Sequence, residues 1–165
     1  MKNKPPVSII PTSFEKILAA GSALLLVVVF VAIAHGHAHW AEVTPIIWAH
    51  LLTIVLALTL TPVMLLRPRG TPTHRILGRV WMVAMFSTAL LSFFVRVIHS
   101  GHFSVIHILS AYVCFAVPRS IWLAHAHRVV EHRRTIQRMV TGALLTAGFF
   151  TFPFGRMLGS WLFGA

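Results

Sequence analysis

The chain has 165 residues, 57% of them hydrophobic and only 10% charged, with a mean hydropathy of +0.82. A soluble domain carries about 25% charged residues, so this chain cannot cover a water-facing surface and its solvent is lipid. Fourteen Lys and Arg against three acidic residues give a formal charge of +11. The basic residues gather at the ends of apolar runs, which is the positive-inside pattern of a membrane protein and argues against a nucleic-acid partner.

The chain is expected to be all-α, an integral membrane bundle of about five spans plus a short C-terminal half-helix. Residues 1–13 are polar, with Lys2, Lys4 and three prolines, and read as a cytoplasmic tail; residues 14–165 form one transmembrane domain. The first apolar run, 14–34, is long enough to cross a hydrocarbon core of about 30 Å. The two lysines before it and Ala32-Ile33-Ala34 after it also fit a secretory signal, but the run exceeds the usual signal core. A connector, His35 to Thr44, leads to the second span, 45–66, where Pro45 suits a helix start. The hinge Arg67 to Arg79 follows; Pro68, Gly70 and Pro72 break the helix, and Thr73 is the expected cap of the next one. The third span is 77–98, His99 to His102 form a tight turn, and the fourth span is 103–123 with Pro118 inside it. A second basic connector, His125 to Arg134, precedes the fifth span, 135–152. The segment 157–165 is too short to cross and reads as an interfacial half-helix anchored by Trp161.

Twelve Lys and Arg fall in the tail, the hinge and the second connector with its helix ends, and two, Arg96 and Arg156, on the other side. That asymmetry predicts a bacterial inner-membrane protein with a cytoplasmic N-terminus and a periplasmic C-terminus.

Eleven histidines are the compositional anomaly. His50 and His107 lie inside the second and fourth spans on stripes of small or polar residues: His50, Thr53, Ala57, Thr61, and His107, Ser110, Cys114, Pro118. Ala84, Thr88, Ser92, Arg96 and His99 make the matching face of the third span. Such faces pack inward in membrane bundles, so His50, Arg96, His99 and His107 are expected to meet near the outer boundary. Several readings of that cluster stay open. It could hold a haem b by two axial imidazoles, line a quinone pocket or relay protons. It could bind a transition-metal ion, with His35, His37, His39 and His102 as further ligands. Or the histidines simply hydrogen-bond across helices. These readings leave two classes of function: a haem- or quinone-binding redox subunit, alone or with a redox partner or as a homo-oligomer, and a non-catalytic metal-binding or transport-accessory protein.

At the other face His74 and Arg75 open a helix, and His125, His127 and His132 border the second connector. Arg128, Arg133 and Arg134 suit anionic lipid headgroups, or a bound phosphate or carboxylate. Glu15, Glu42 and Glu131 are the only acidic side chains and none lies deep in a span, which excludes a paired-carboxylate mechanism or an Asp-oriented triad. Whether the protein is an enzyme is not legible. Cys114, the only cysteine, excludes an internal disulfide.

Two segments carry a resemblance. Gly70-x3-His74-Arg75-x2-Gly78-Arg79 and His132-Arg133-Arg134 with Arg138-Met139 resemble segments of the bacterial DUF2306 family of membrane proteins. Phe150 to Arg156 resembles an aromatic-Pro-Gly-Arg tail in some members. The position before Met139 departs from that family, which often has Trp there. The resemblance implies the membrane topology and marks His74, Arg75, Gly78, Arg79, His132 and Arg133; it implies no activity.

Overall fold

The first helix begins at a capping box: the Thr12 hydroxyl accepts from the Glu15 N–H, and the Glu15 carboxylate accepts from the Thr12 N–H. In the computed structural model, which describes residues 10–95, 105–153 and 155–164, every element is helical. Helix α1 spans Ser13–His35 and runs into a 3₁₀ helix, Gly36–Glu42. Then come α2 (Pro45–Leu66), α3 (Pro72–Ser92) and α4 (Val105–His125). Helix α5 (Val129–Arg138), a π-helical stretch (Met139–Thr146) and α6 (Ala147–Phe149) follow one another without a break. A short helix, α7 (Met157–Phe163), closes the described chain.

Each long helix packs on the next, and the π-helical stretch packs back on α1, so the bundle closes into a ring. Its core includes Leu58, Leu123, Met139, Val140 and Leu144, all buried. Outward-facing side chains are just as apolar: Leu24, Val27 and Phe30 on α1, Leu52 on α2, Val83 on α3 and Phe115 on α4 are exposed. Among the described residues four helices are long and apolar enough to cross a bilayer. The fifth rod, residues 129–149, starts with the polar α5 and is apolar in its π-helical part. The protein is a multi-pass membrane protein with an all-α bundle, as the sequence predicts.

Some boundaries differ from expectation. Helix α3 starts at Pro72, five residues before the apolar run, and Thr71 rather than Thr73 caps it, accepting from the His74 N–H at 3.1 Å. Thr71-Pro72 is a cap followed by a proline at N1, where the missing N–H costs nothing. Helix α5 likewise starts six residues ahead of the expected span. In both cases a polar first turn at the basic end precedes the part that faces lipid. In the hinge, Gly70 has φ +80, a conformation that favours glycine. The expected half-helix is α7, folded back on α1. A Cβ on Gly36 would overlap the Trp161 ring, and one on Gly159 would overlap the Phe152 backbone carbonyl.

Candidate site at the basic end

The start of α1, the hinge and the start of α5 converge at one end of the bundle, and Glu15 is the point at which they meet. Its side chain is only 1% exposed. Arg133 forks onto the carboxylate, Nε to Oε1 at 2.6 Å and a terminal nitrogen to Oε2 at 2.6 Å. Arg69, from the hinge, reaches Oε2 at 2.6 Å. Gln137 donates to Oε1 at 3.2 Å, and Thr12 donates from its backbone and its hydroxyl to Oε2 at 2.9 and 3.2 Å. Arg133 and Gln137 are four residues apart, so one face of the fifth rod presents both.

Two histidines stand beside this ion cluster. His132 Nδ1 donates to the Ser120 backbone carbonyl at 2.9 Å, with the Ser120 hydroxyl at 3.0 Å. A carbonyl only accepts, so the proton is on Nδ1 and the neutral ring keeps its lone pair on Nε2. Burial pushes the His132 imidazole below the usual histidine value, against the opposing pull of that carbonyl bond. The Glu15 hydrogen bonds hold Arg133 above the usual arginine value, so it stays charged. His74 lies within electrostatic reach of His132 and Arg69, and its Nδ1 is buried with no hydrogen-bond partner among the described residues.

The electrostatic sum follows from the sequence. Of three acidic side chains, Glu42 sits with His39 at 3.4 Å and Glu131 with Arg128 at 2.6 Å. Glu15 is therefore the one carboxylate set against two guanidiniums, each side chain only 15% exposed. The cluster carries one positive charge in excess, in surroundings that water screens poorly. Such a site repels a metal cation and favours an anion. Around it Lys16, Arg67, Arg75, Arg79, Arg119, Arg128, Arg134 and Arg138 are exposed.

The residues marked by the resemblance divide accordingly. His74, His132 and Arg133 come together in the cluster. Arg75 turns back onto the Gly70 carbonyl at 3.2 Å, Arg79 is exposed, and Gly78 allows the Met64 side chain to pack against α3. Arg133 points inward at Glu15, whereas Arg128 and Arg134 remain on the surface.

The opposite half of the bundle is arranged differently. The stripes do face inward, apart from the exposed Pro118: Ala57, Thr61 and Ser110 are buried, and the polar side chains bond across helices. Trp81 donates to Thr61 at 2.9 Å, Thr88 to Thr53 at 2.8 Å, and Ser92 bonds Ser110. His50 Nδ1 donates to the Thr88 carbonyl at 3.2 Å. His107 packs its ring against Phe93 at 6.0 Å between centroids. Arg96, His99 and His102 lie outside the described residues. In the 3₁₀ helix after α1, His37 bonds the Ala34 carbonyl at 3.1 Å and His39 faces Glu42. On a helix of three residues per turn, alternate positions fall about 240° apart, so His35, His37 and His39 point three ways. Among the described residues no three His, Cys, Asp or Glu side chains stand close enough to share a metal ion.

Glu15, Arg69, Gln137 and Ser120 are the site residues that the sequence reading passed over. The signal for Glu15 was Thr12-x-x-Glu15, a capping-box spacing just before an apolar run. Nothing local distinguishes Ser120. Compared with protein-family models, curated proteins and solved structures, the chain matches none.

Proposed function

We propose that this multi-pass membrane protein binds an anion bearing a phosphate or carboxylate at its basic end, as a non-catalytic binding or transport-accessory protein. The observation that carries this reading is the buried set of two arginines against one glutamate, flanked by His74 and His132. Two guanidiniums against one carboxylate leave a net positive charge, and a ligand anion balances it. Arginine forks suit carboxylate and phosphate geometry. The exposed cations around the site draw anions toward it. The reading extends to a bacterial inner membrane with the basic end in the cytoplasm, where anionic lipid headgroups are one source of the ligand. Reporters fused after Gly70 and after Ala165 on opposite sides of the membrane would agree with that orientation. No contact among the described residues brings His50 and His107 together on one ligand: His50 bonds the Thr88 carbonyl and His107 packs on Phe93.

The test is thermal unfolding of the purified protein in a neutral detergent, titrated with inorganic phosphate and separately with phosphatidylglycerol. A rise in Tm with both, lost in Arg69→Gln but kept in the surface variant Arg134→Gln, supports a headgroup-type site. A rise with inorganic phosphate alone assigns a soluble anion. No rise with either, or an equal rise in Arg69→Gln, overturns the reading.

A further inference from the structure

The contacts of Glu15 are those that an anionic ligand would make. A carboxylate takes a two-pronged fork from one arginine, an end-on contact from a second and an amide bond from Gln137. We infer that Glu15 is a resident stand-in for the ligand: it occupies the anion seat, and a bound anion takes the arginines from it. This rests on the anion-binding reading above and adds how the site is regulated.

Two features favour exchange over a permanent lock. The carboxylate has a second hold, the Thr12 backbone and hydroxyl, which lies on its own helix start and does not depend on either arginine. Losing the arginines therefore leaves Glu15 its capping-box hydrogen bonds, though not its counter-charges. The arginines come from different segments, the hinge between α2 and α3 and the start of α5. Both can turn toward an incoming anion without α1 moving. His74 lies within electrostatic reach of Arg69 and of His132, so a charge change at the seat is felt at both rings.

The stand-in competes from within the chain, at a high effective concentration. Only anions able to engage both arginines displace it, and release of Glu15 frees the start of α1 from the hinge. The site is closed by its own carboxylate when no ligand is present.

The experiment is calorimetric titration of the detergent-purified full chain with inorganic phosphate, for wild type, Glu15→Gln and Glu15→Asp. Glu15→Gln keeps the size and one acceptor oxygen but removes the competing charge. Its affinity for phosphate is expected to rise about tenfold, the scale of one charge-assisted hydrogen bond. Glu15→Asp keeps the charge but shortens the side chain by one methylene, which loosens the hold of the carboxylate on the arginines; it is expected to bind phosphate about twofold to threefold more tightly, and it carries the test if Glu15→Gln does not fold. Unchanged or weaker binding in the folded variants, with wild-type binding intact, overturns the stand-in and leaves the anion site standing. No phosphate binding by wild type or variants overturns the anion site itself.

Discussion

Replacing Arg133 by methionine separates the ion cluster from the apolar packing around it. Methionine keeps the unbranched stem and its volume, so the change falls on the charge. Arg133 supplies two contacts of 2.6 Å to a carboxylate that is 1% exposed; Arg69 supplies one of 2.6 Å. Removing the fork leaves Glu15 held by a single arginine, Gln137 and its cap. Breaking a buried pair from one side costs about 3–5 kcal/mol, because the remaining charge stays desolvated. Arg69→Met leaves the fork intact and removes one charge-assisted bond, with an expected cost of about 1.5–3 kcal/mol. Combining Glu15→Gln with Arg133→Met should cost less than the sum of the two, with a coupling energy of about 1–3 kcal/mol. The assay is reversible unfolding in mixed micelles at rising mole fractions of a denaturing detergent. A cost below about 1 kcal/mol for Arg133→Met would refute the reasoning, on the scale at which exposed pairs contribute. So would a larger cost for Arg69→Met, or simple additivity in the double variant.

Other outcomes follow from single features. His132 is held neutral by burial, while a histidine in the unfolded chain protonates near pH 6.5. Below that pH the unfolded state binds more protons, so stability falls as the pH drops, and less steeply in His132→Gln than in wild type; equal slopes would contradict the burial. His127 has φ +55 in the turn between α4 and α5, a conformation that costs a residue with a Cβ about 1–2 kcal/mol. His127→Gly should therefore raise the unfolding midpoint, and a lowered one would show that the ring contributes more than the backbone strain. Gly159→Ala should release α7 from the turn before it, since the Phe152 carbonyl is in the way, whereas nothing lies within 4 Å of a Cβ on Gly142. Gly142→Ala should stabilise by about 0.4–1 kcal/mol, and limited proteolysis between α6 and α7 would show whether the two variants differ.

The fold was legible to the extent that lipid decides it. Apolar runs of bilayer length gave the long helices, and α2 begins at Pro45 and ends at Leu66 as expected, because Pro45 and the hinge prolines bracket it. The inward stripes were legible too, since only small and polar residues at spacings of three and four allow close helix contact. Where the helices of the basic end begin was less visible. Hydropathy reports contact with lipid, and the first turns of α3 and α5 are helical but polar. The candidate site was half legible. His74, His132 and Arg133 were marked by local pattern, but their meeting depends on ring closure between helices far apart in the chain. Glu15 was dismissed for lying close to a span's end. That position is what makes it central, because a carboxylate in the first turn of a helix can be buried in the bundle and still reach the cations gathered at that end. The spacing of His35, His37 and His39 misled for a local reason: alternation aligns side chains on a strand and scatters them on a 3₁₀ helix.

The last question is why charges are buried at this end at all. The hinge does not need them for its shape. Gly70 turns it, Thr71 caps α3, and Arg75 closes it onto the Gly70 carbonyl. The start of α1 has its own capping box. Apolar side chains of similar volume hold helices together at least as well as a buried ion cluster, and often better by about 1–4 kcal/mol. A cluster kept only for stability would therefore be replaceable. The triple change Glu15→Met, Arg69→Met, Arg133→Met puts this to the test, because it removes all three charges together and leaves none unpaired. The triple variant should unfold at the wild-type denaturant level or above, in contrast to Arg133→Met alone. It should also lose the phosphate-dependent rise in Tm, which needs a guanidinium. A triple variant less stable than Arg133→Met would make the cluster a structural clamp. One that kept the phosphate response would move the anion to the exposed cations, Lys16, Arg75 and Arg134 among them, and away from the buried site.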